Sequence, residues 1–143
     1  MTNRSIEMEN PEGTEGDDLL EGTESNDTLI GGNGDDQLFG QNSNDILVGA
    51  SGNDILVGGL GEDIFHFNYL ADGIDLITDF EWSEGDKIQI YQSGFGASST
   101  DNFSYNSDTG ELSFLGTHFA TLDNKPKLFL TSIDIELVST LLP

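Results

Sequence analysis

Apolar and polar positions recur through the first half of the chain with one fixed spacing. From residue 13 to residue 66 the chain divides into nine-residue blocks: GTEGDDLLE, GTESNDTLI, GGNGDDQLF, GQNSNDILV, GASGNDILV and GGLGEDIFH. Position eight of every block is large and apolar (Leu20, Leu29, Leu38, Leu47, Leu56, Phe65), and position one is always glycine (Gly13, Gly22, Gly31, Gly40, Gly49, Gly58). Such a period marks a stacked repeat architecture. The first six residues of a block are small and polar, the types that make tight turns and tolerate positive φ. The last three are mostly apolar and read as a very short strand. Each block is therefore a turn followed by a strand, and two blocks make one coil of about 18 residues.

Position six is always aspartate: Asp18, Asp27, Asp36, Asp45, Asp54 and Asp63. Loops two blocks apart stack about 4.8 Å from each other. Asp18, Asp36 and Asp54 then form one column, and Asp27, Asp45 and Asp63 the other. Two unit charges about 5 Å apart repel by roughly 0.8 kcal/mol in water and about 3 kcal/mol at an effective dielectric of 20. No Lys or Arg lies between Arg4 and Lys87 to offset this, so a cation must. Carboxylates and turn carbonyls offer only oxygen, which suits Ca²⁺ with its six to eight oxygen ligands. The chain has no Cys, and its two His lie off the pattern, which argues against Zn or Cu.

The blocks resemble the RTX (hemolysin-type) calcium-binding repeat, G-G-x-G-x-D-x-U-x. The best copies are Gly31-Gly32-Asn33-Gly34-Asp35-Asp36-Gln37-Leu38-Phe39 and Gly58-Gly59-Leu60-Gly61-Glu62-Asp63-Ile64-Phe65-His66. The resemblance implies an all-β fold: a right-handed parallel β-roll of six nonapeptide repeats in about three coils, with a C-terminal β cap of antiparallel strands. It also implies ions between loops n and n+2, held by main-chain carbonyls of both loops and by both position-six aspartates. The first site would use Thr14, Gly16, Asp18, Gly31, Asn33 and Asp36. The second would use Thr23, Ser25, Asp27, Gly40, Asn42 and Asp45. The third takes Gly32, Gly34, Asp36, Gly49, Ser51 and Asp54. The fourth takes Gln41, Ser43, Asp45, Gly58, Leu60 and Asp63. Position two departs from glycine at Thr14, Thr23, Gln41 and Ala50, and position four is serine at Ser25 and Ser43. A carbonyl ligand survives such a change, although lost glycine geometry would weaken affinity.

After Phe67 the pattern degrades. Asp72 still follows Asp63 by one period, with Ile74 two residues on, so an imperfect unit is expected to continue. A fifth ion is expected between Ala50, Gly52 and Asp54 on one side and Asp72 on the other. Residues 73–80 and 85–90 read as strands around a turn at Ser83-Glu84-Gly85. They resemble the D-x-I-x-D-F and G-D-K-I segments that follow RTX arrays, where an Asp closes the last site; Asp79 is assigned that role by resemblance. Residues 91–102 read as a loop and 102–115 as a hairpin. Residues 119–122, 128–130 and 133–138 read as further strands. The expected organisation is a flexible lead-in at 1–12, the calcium-binding roll at 13–75, and a cap at 76–143 that also holds a type I secretion signal.

The net charge of −23, from 27 acids and 4 bases, argues against nucleic acid and against anionic membrane surfaces. About five bound Ca²⁺ would still leave the surface acidic. There is no disulfide framework, no secretory signal at the start, and no run long enough to insert in a membrane. The metalloprotease, lipase-elbow, phosphate-loop and EF-hand patterns are absent, so no enzyme is expected. One large apolar residue per half-coil cannot offset about 1–2 kcal/mol of backbone entropy per residue, so folding should require calcium. The leading reading is a secreted calcium-binding module, exported by type I machinery as the resemblance implies. The alternative is a calcium-dependent carbohydrate- or surface-binding accessory module of a larger secreted enzyme or toxin, with a glycan as ligand. The roll and the Asp79-Phe80-Glu81 segment are similar to the R-modules of secreted alginate epimerases.

Overall fold

The computed structural model describes residues 5–7 and 10–142. Each repeat block contributes one strand: β2 (Leu19–Glu21), β3 (Thr28–Asn33), β4 (Gln37–Asn42), β5 (Ile46–Ser51), β6 (Ile55–Leu60) and β7 (Ile64–Phe67). Even and odd strands separate into two sheets, parallel throughout this region. The two-block coil explains the separation, because each block carries the chain across to the other sheet. Position-eight side chains stack in register between the sheets. Leu20 pairs with Leu38 and Leu38 with Leu56; Leu29 pairs with Leu47 and Leu47 with Phe65. All six are fully buried, each worth about 1.5–3 kcal/mol over exposure. The result is a mostly parallel β fold resembling a β-roll.

Parallel stacking continues past residue 75, where the sequence reading ended the roll. β8 (Asp75–Ile77) lies on β6 with Ile77 opposite Leu56, and β9 (Lys87–Tyr91) lies on β7 with Ile88 opposite Phe65. The strands expected around the Ser83–Gly85 turn are therefore in different sheets. Asp75-Leu76-Ile77 and Asp86-Lys87-Ile88 each restore the Asp-x-apolar core of the repeat, and this draws them onto the stack. Of the lead-in expected at 1–12, residues 1–4 and 8–9 lie outside the described residues. β1 (Ser5–Glu7) pairs parallel with β2, and the Asn10 N–H donates to Asp27 Oδ1 at 3.1 Å.

Beyond β9 the chain forms a short helix, α1 (Gln92–Phe95), inside the expected loop, followed by a 3-10 turn at Thr100–Asn102. The expected hairpin is present as β10 (Phe103–Tyr105) and β11 (Glu111–Phe114), with β12 (Thr117–Leu122) antiparallel to β11 and parallel to β8. Residues 128–130, expected as a strand, lie outside regular strands; only Phe129 is buried there, against Phe80 at 5.3 Å between ring centroids. α2 (Thr131–Asp134) then leads into β13 (Ile135–Val138), parallel to β9. Phe95, Phe103, Phe114 and Phe119 pack edge to face or tilted, and Phe119 meets Phe67 at 5.2 Å. These contacts join the C-terminal part to the roll core and cover strand edges that would otherwise stay open to pairing.

Candidate metal site

The aspartate columns form hydrogen-bonded ladders. The N–H of each position-six Asp donates to Oδ1 of the Asp one coil later. The steps are Asp18 to Asp36 at 2.7 Å, Asp27 to Asp45 at 2.8 Å, Asp36 to Asp54 at 2.8 Å and Asp45 to Asp63 at 2.9 Å. The ladders continue from Asp54 to Asp75 at 3.1 Å and from Asp63 to Asp86 at 2.9 Å. Asn10 donates into the bottom of the second ladder. All eight aspartates are buried. A one-carbon side chain is short enough to hold its oxygen over the amide of the coil beneath, which accounts for the strict Asp at position six.

The second carboxylate oxygen separates the loops into two kinds. Oδ2 of Asp36, Asp45, Asp54 and Asp63 is buried without a hydrogen-bond partner, which costs more than the ordinary exposed carboxylate. A Cβ placed on Gly31 would collide with Asp36 Oδ2 and would lie 2.7 Å from the Gly49 carbonyl oxygen. On Gly40 it would collide with Asp45 Oδ2 and lie 2.5 Å from the Gly58 oxygen. A carboxylate oxygen and a carbonyl from the next coil thus converge beside each of these glycines. From the other side, the carbonyls of Gln41 and Ser43 crowd Gly59 and Gly61, and the Gly34 carbonyl crowds Gly52. Positions two and four of these loops hold positive φ. Gln41, Ser43 and Ala50 adopt it (90°, 79° and 71°) although they carry side chains.

Burial dominates the electrostatics. It pushes the carboxyl of Asp36 up to about 6, Asp45 to about 7, Asp54 to about 7, Asp63 to about 6 and Asp86 to about 7. Neighbouring aspartates add to each, and Asp75 is raised well above the usual range by burial and by Asp54. Among the described residues no base is paired with these carboxylates: Lys87 is turned to Asp134 at 3.7 Å and to the Ile133 carbonyl at 3.1 Å. Among the described residues no three His, Cys, Asp or Glu side chains converge in metal-binding geometry. An ion here would rely on carboxylates together with main-chain oxygens. That donor set fits a hard cation with many oxygen ligands.

The sequence-predicted residues fall as follows. For the first two sets the loops stack, with Asn33 N donating to the Thr14 carbonyl at 3.4 Å and Ser43 Oγ to the Glu24 carbonyl at 2.8 Å. For the third, Gly34 N donates to the Ser51 carbonyl at 3.0 Å, leaving that oxygen a second lone pair. For the fourth, Leu60 is exposed and offers only its carbonyl. Asp72 is placed differently from expectation. Its carbonyl accepts from Gly52 N at 2.8 Å and its carboxylate bonds Ser51, while Asp75 takes the ladder position. Three inserted residues shift the register, so Asp72 occupies position three of its loop instead of six. Asp79 receives Gly58 N at 3.0 Å and Gly59 N at 2.8 Å on its two oxygens, and its charge helps raise Asp63. The ladder members missed from sequence are Asn10, Asp75 and Asp86. For the two aspartates, the signal was the Asp-x-apolar triplet read without a fixed period.

Residues 12–47 and 39–68 match the family described as the RTX calcium-binding nonapeptide repeat (4 copies). No curated protein matches the chain in sequence. Its structure is similar to the solution structure of the AlgE6R3 subunit from the Azotobacter vinelandii mannuronan C5-epimerase. That likeness has a TM-score of 0.61 and 28% identity, covering 89% of this chain and 80% of that one. The chain thus contains an RTX-type calcium-binding repeat region, and calcium is the ion to which that region corresponds.

Proposed function

We propose that this protein is a non-enzymatic calcium-binding module whose folding and ion binding are one equilibrium, and that it works outside the cell. The observation that carries this reading is the set of four buried Oδ2 atoms without partners, each crowding a position-one glycine, with a carbonyl of the next coil also beside Gly31 and Gly40. Bound calcium supplies the positive charge that the columns lack. The chain's own residues do the rest. Asp36, Asp45, Asp54 and Asp63 hold one oxygen on the ladder and present the other to the gap. Glycines at position one leave room for it, and carbonyls at positions two and four face the neighbouring loop. Where calcium is scarce, ladder charge and backbone entropy keep the chain unfolded. The tail expected as an export signal starts at Ile133, and its residues 133–138 belong to α2 and β13 when folded, so type I machinery would read it from the unfolded chain.

Far-UV circular dichroism during calcium titration, with magnesium as the control, tests this. We expect coil to become β structure with calcium alone. A spectrum indifferent to calcium would overturn the reading.

A second reading, an accessory module beside a carbohydrate-modifying enzyme, is favoured by the likeness to the epimerase subunit. Trp82, 47% exposed, lines an apolar groove with Leu128, Leu130, Ile133 and Lys127. A flat indole beside an ammonium suits an acidic sugar ring. Oligomannuronate binding with calcium present, lost in Trp82→Ala at unchanged calcium stoichiometry, would support it; equal binding by both proteins would remove the groove from the account.

A further inference from the structure

We infer that the first two loops, 13–18 and 22–27, close without calcium, because Thr14 and Thr23 occupy with hydrogen-bond donors the place that cations fill in the later loops. This rests on the calcium-binding reading above and changes which gaps are loaded.

The Oδ2 atom left bare in Asp36, Asp45, Asp54 and Asp63 is doubly engaged in Asp18 and Asp27. Asp18 Oδ2 accepts from Thr14 N at 2.5 Å and Thr14 Oγ1 at 2.8 Å. Asp27 Oδ2 accepts from Thr23 N at 2.6 Å and Thr23 Oγ1 at 2.9 Å. The hydroxyls in turn receive Gly16 N at 3.3 Å and Ser25 N at 3.2 Å, a closed local turn of the Ser/Thr type. Backbone shape agrees with this division. Positive φ occurs at positions two and four of the later loops, in Gly32, Gly34, Gln41, Ser43, Ala50, Gly52, Gly59 and Gly61. Thr14, Gly16, Thr23 and Ser25 do not adopt it. The Thr14 and Gly16 carbonyls still face Gly32 and Gly34 of the next coil, so it is the carboxylate oxygen that sets the first loop apart. The Gly31 carbonyl and Asp18 Oδ2 still converge beside Gly13, and the Gly40 carbonyl and Asp27 Oδ2 beside Gly22, so the gap exists and only its filling differs. In Asp18 the oxygen without a partner is Oδ1, the atom that in the other aspartates serves the ladder.

The ions therefore belong above the loops of Asp36, Asp45, Asp54 and Asp63, with Asp75, Asp79 and Asp86 contributing at the far end. Thr14 and Thr23 cap the near end as uncharged stand-ins. This removes the first two sequence-derived sites and adds one above residues 58–63.

Native mass spectrometry of the calcium-loaded full chain, with calorimetric titration, tests the assignment. We expect four ions, one for each bare Oδ2. Asp18→Asn and Asp27→Asn should leave that number unchanged, whereas Asp45→Asn and Asp54→Asn should lower it. The double variant Thr14→Gly/Thr23→Gly should gain two ions, since it frees two carboxylate oxygens and allows positive φ. Melting of each loaded variant confirms that it is folded before its ions are counted. Loss of an ion in Asp18→Asn or Asp27→Asn, or no gain in the folded glycine double variant, would overturn the inference while leaving calcium binding itself intact. Failure of the parent to bind calcium at all would instead sink the broader reading.

Discussion

The main-chain N–H of Asp63 donates to Oδ1 of Asp86 at 2.9 Å, a step of 23 residues, where the step from Asp45 to Asp63 takes 18. The hydrogen bond is kept although the chain between is longer. Asp86 also accepts from Glu81 N at 2.8 Å through its other oxygen, so it closes the turn above the ladder and holds the ladder itself. Asp86→Ala would strand two donors, at a cost of about 1–3 kcal/mol for each buried group. We expect a clear drop in melting temperature with calcium present, partly recovered in Asp86→Asn. An unchanged melt would show that the ladder does not need its upper end.

The raised carboxyls set the pH response of the metal-free protein. Asp36, Asp45, Asp54, Asp63 and Asp86 titrate near 6–7 when folded, against an ordinary 3.8. The folded state then binds protons more tightly than the unfolded one. Its gain is complete below the ordinary value and is lost as pH rises through the folded one. Protein held in chelator should regain β structure by circular dichroism as pH falls from about 8 to about 4. Calcium affinity should move the opposite way, weakening as protons compete for the same oxygens. A chelated chain that stays coil at low pH would contradict the shifts.

Loop shape gives a third prediction. Ala50 and Gln41 hold left-handed φ, which costs a residue with a Cβ about 1–2 kcal/mol. Ala50→Gly and Gln41→Gly should each raise the melting temperature of the calcium-loaded protein. Gly52→Ala should do the reverse, since φ of +138° suits glycine alone and a Cβ there overlaps the Gly34 carbonyl. Stabilisation by all three, or by none, would show that loop conformation is not limiting.

Phe119 tests whether roll and C-terminal part melt together. It touches Phe67 of β7 as well as Phe95 and Phe103, and Phe119→Ala should cost about 3–5 kcal/mol. One calorimetric transition, shifted as a whole, is the expected result. Two separate transitions would assign the C-terminal strands their own stability.

The repeat was readable because its period is unbroken from Gly13 to His66, and position eight predicted the buried column residue by residue. Past Asp63 the same contacts are made at steps of 21 and 23 residues, which a fixed period cannot follow. Asp72 looked like the next rung only because it kept count; Asp75 is the rung because the inserted residues are extruded before it. At the near end, Thr14 and Thr23 looked like tolerable departures from glycine. Their effect depends on a hydroxyl reaching a carboxylate four residues on, which spacing alone does not reveal.

From Asp18 to Asp63, each ladder amide finds its acceptor in sequence that lies further along the chain. The residue after each rung runs the opposite way: Gln37 N and Ile46 N donate back to the carbonyls of Asp18 and Asp27. Each coil is therefore tied to its neighbour by bonds of both directions. Cutting a coil from the C-terminal side leaves aspartate amides without acceptors, and cutting one from the N-terminal side does the same to strand amides, so neither end should be trimmed without loss of stability.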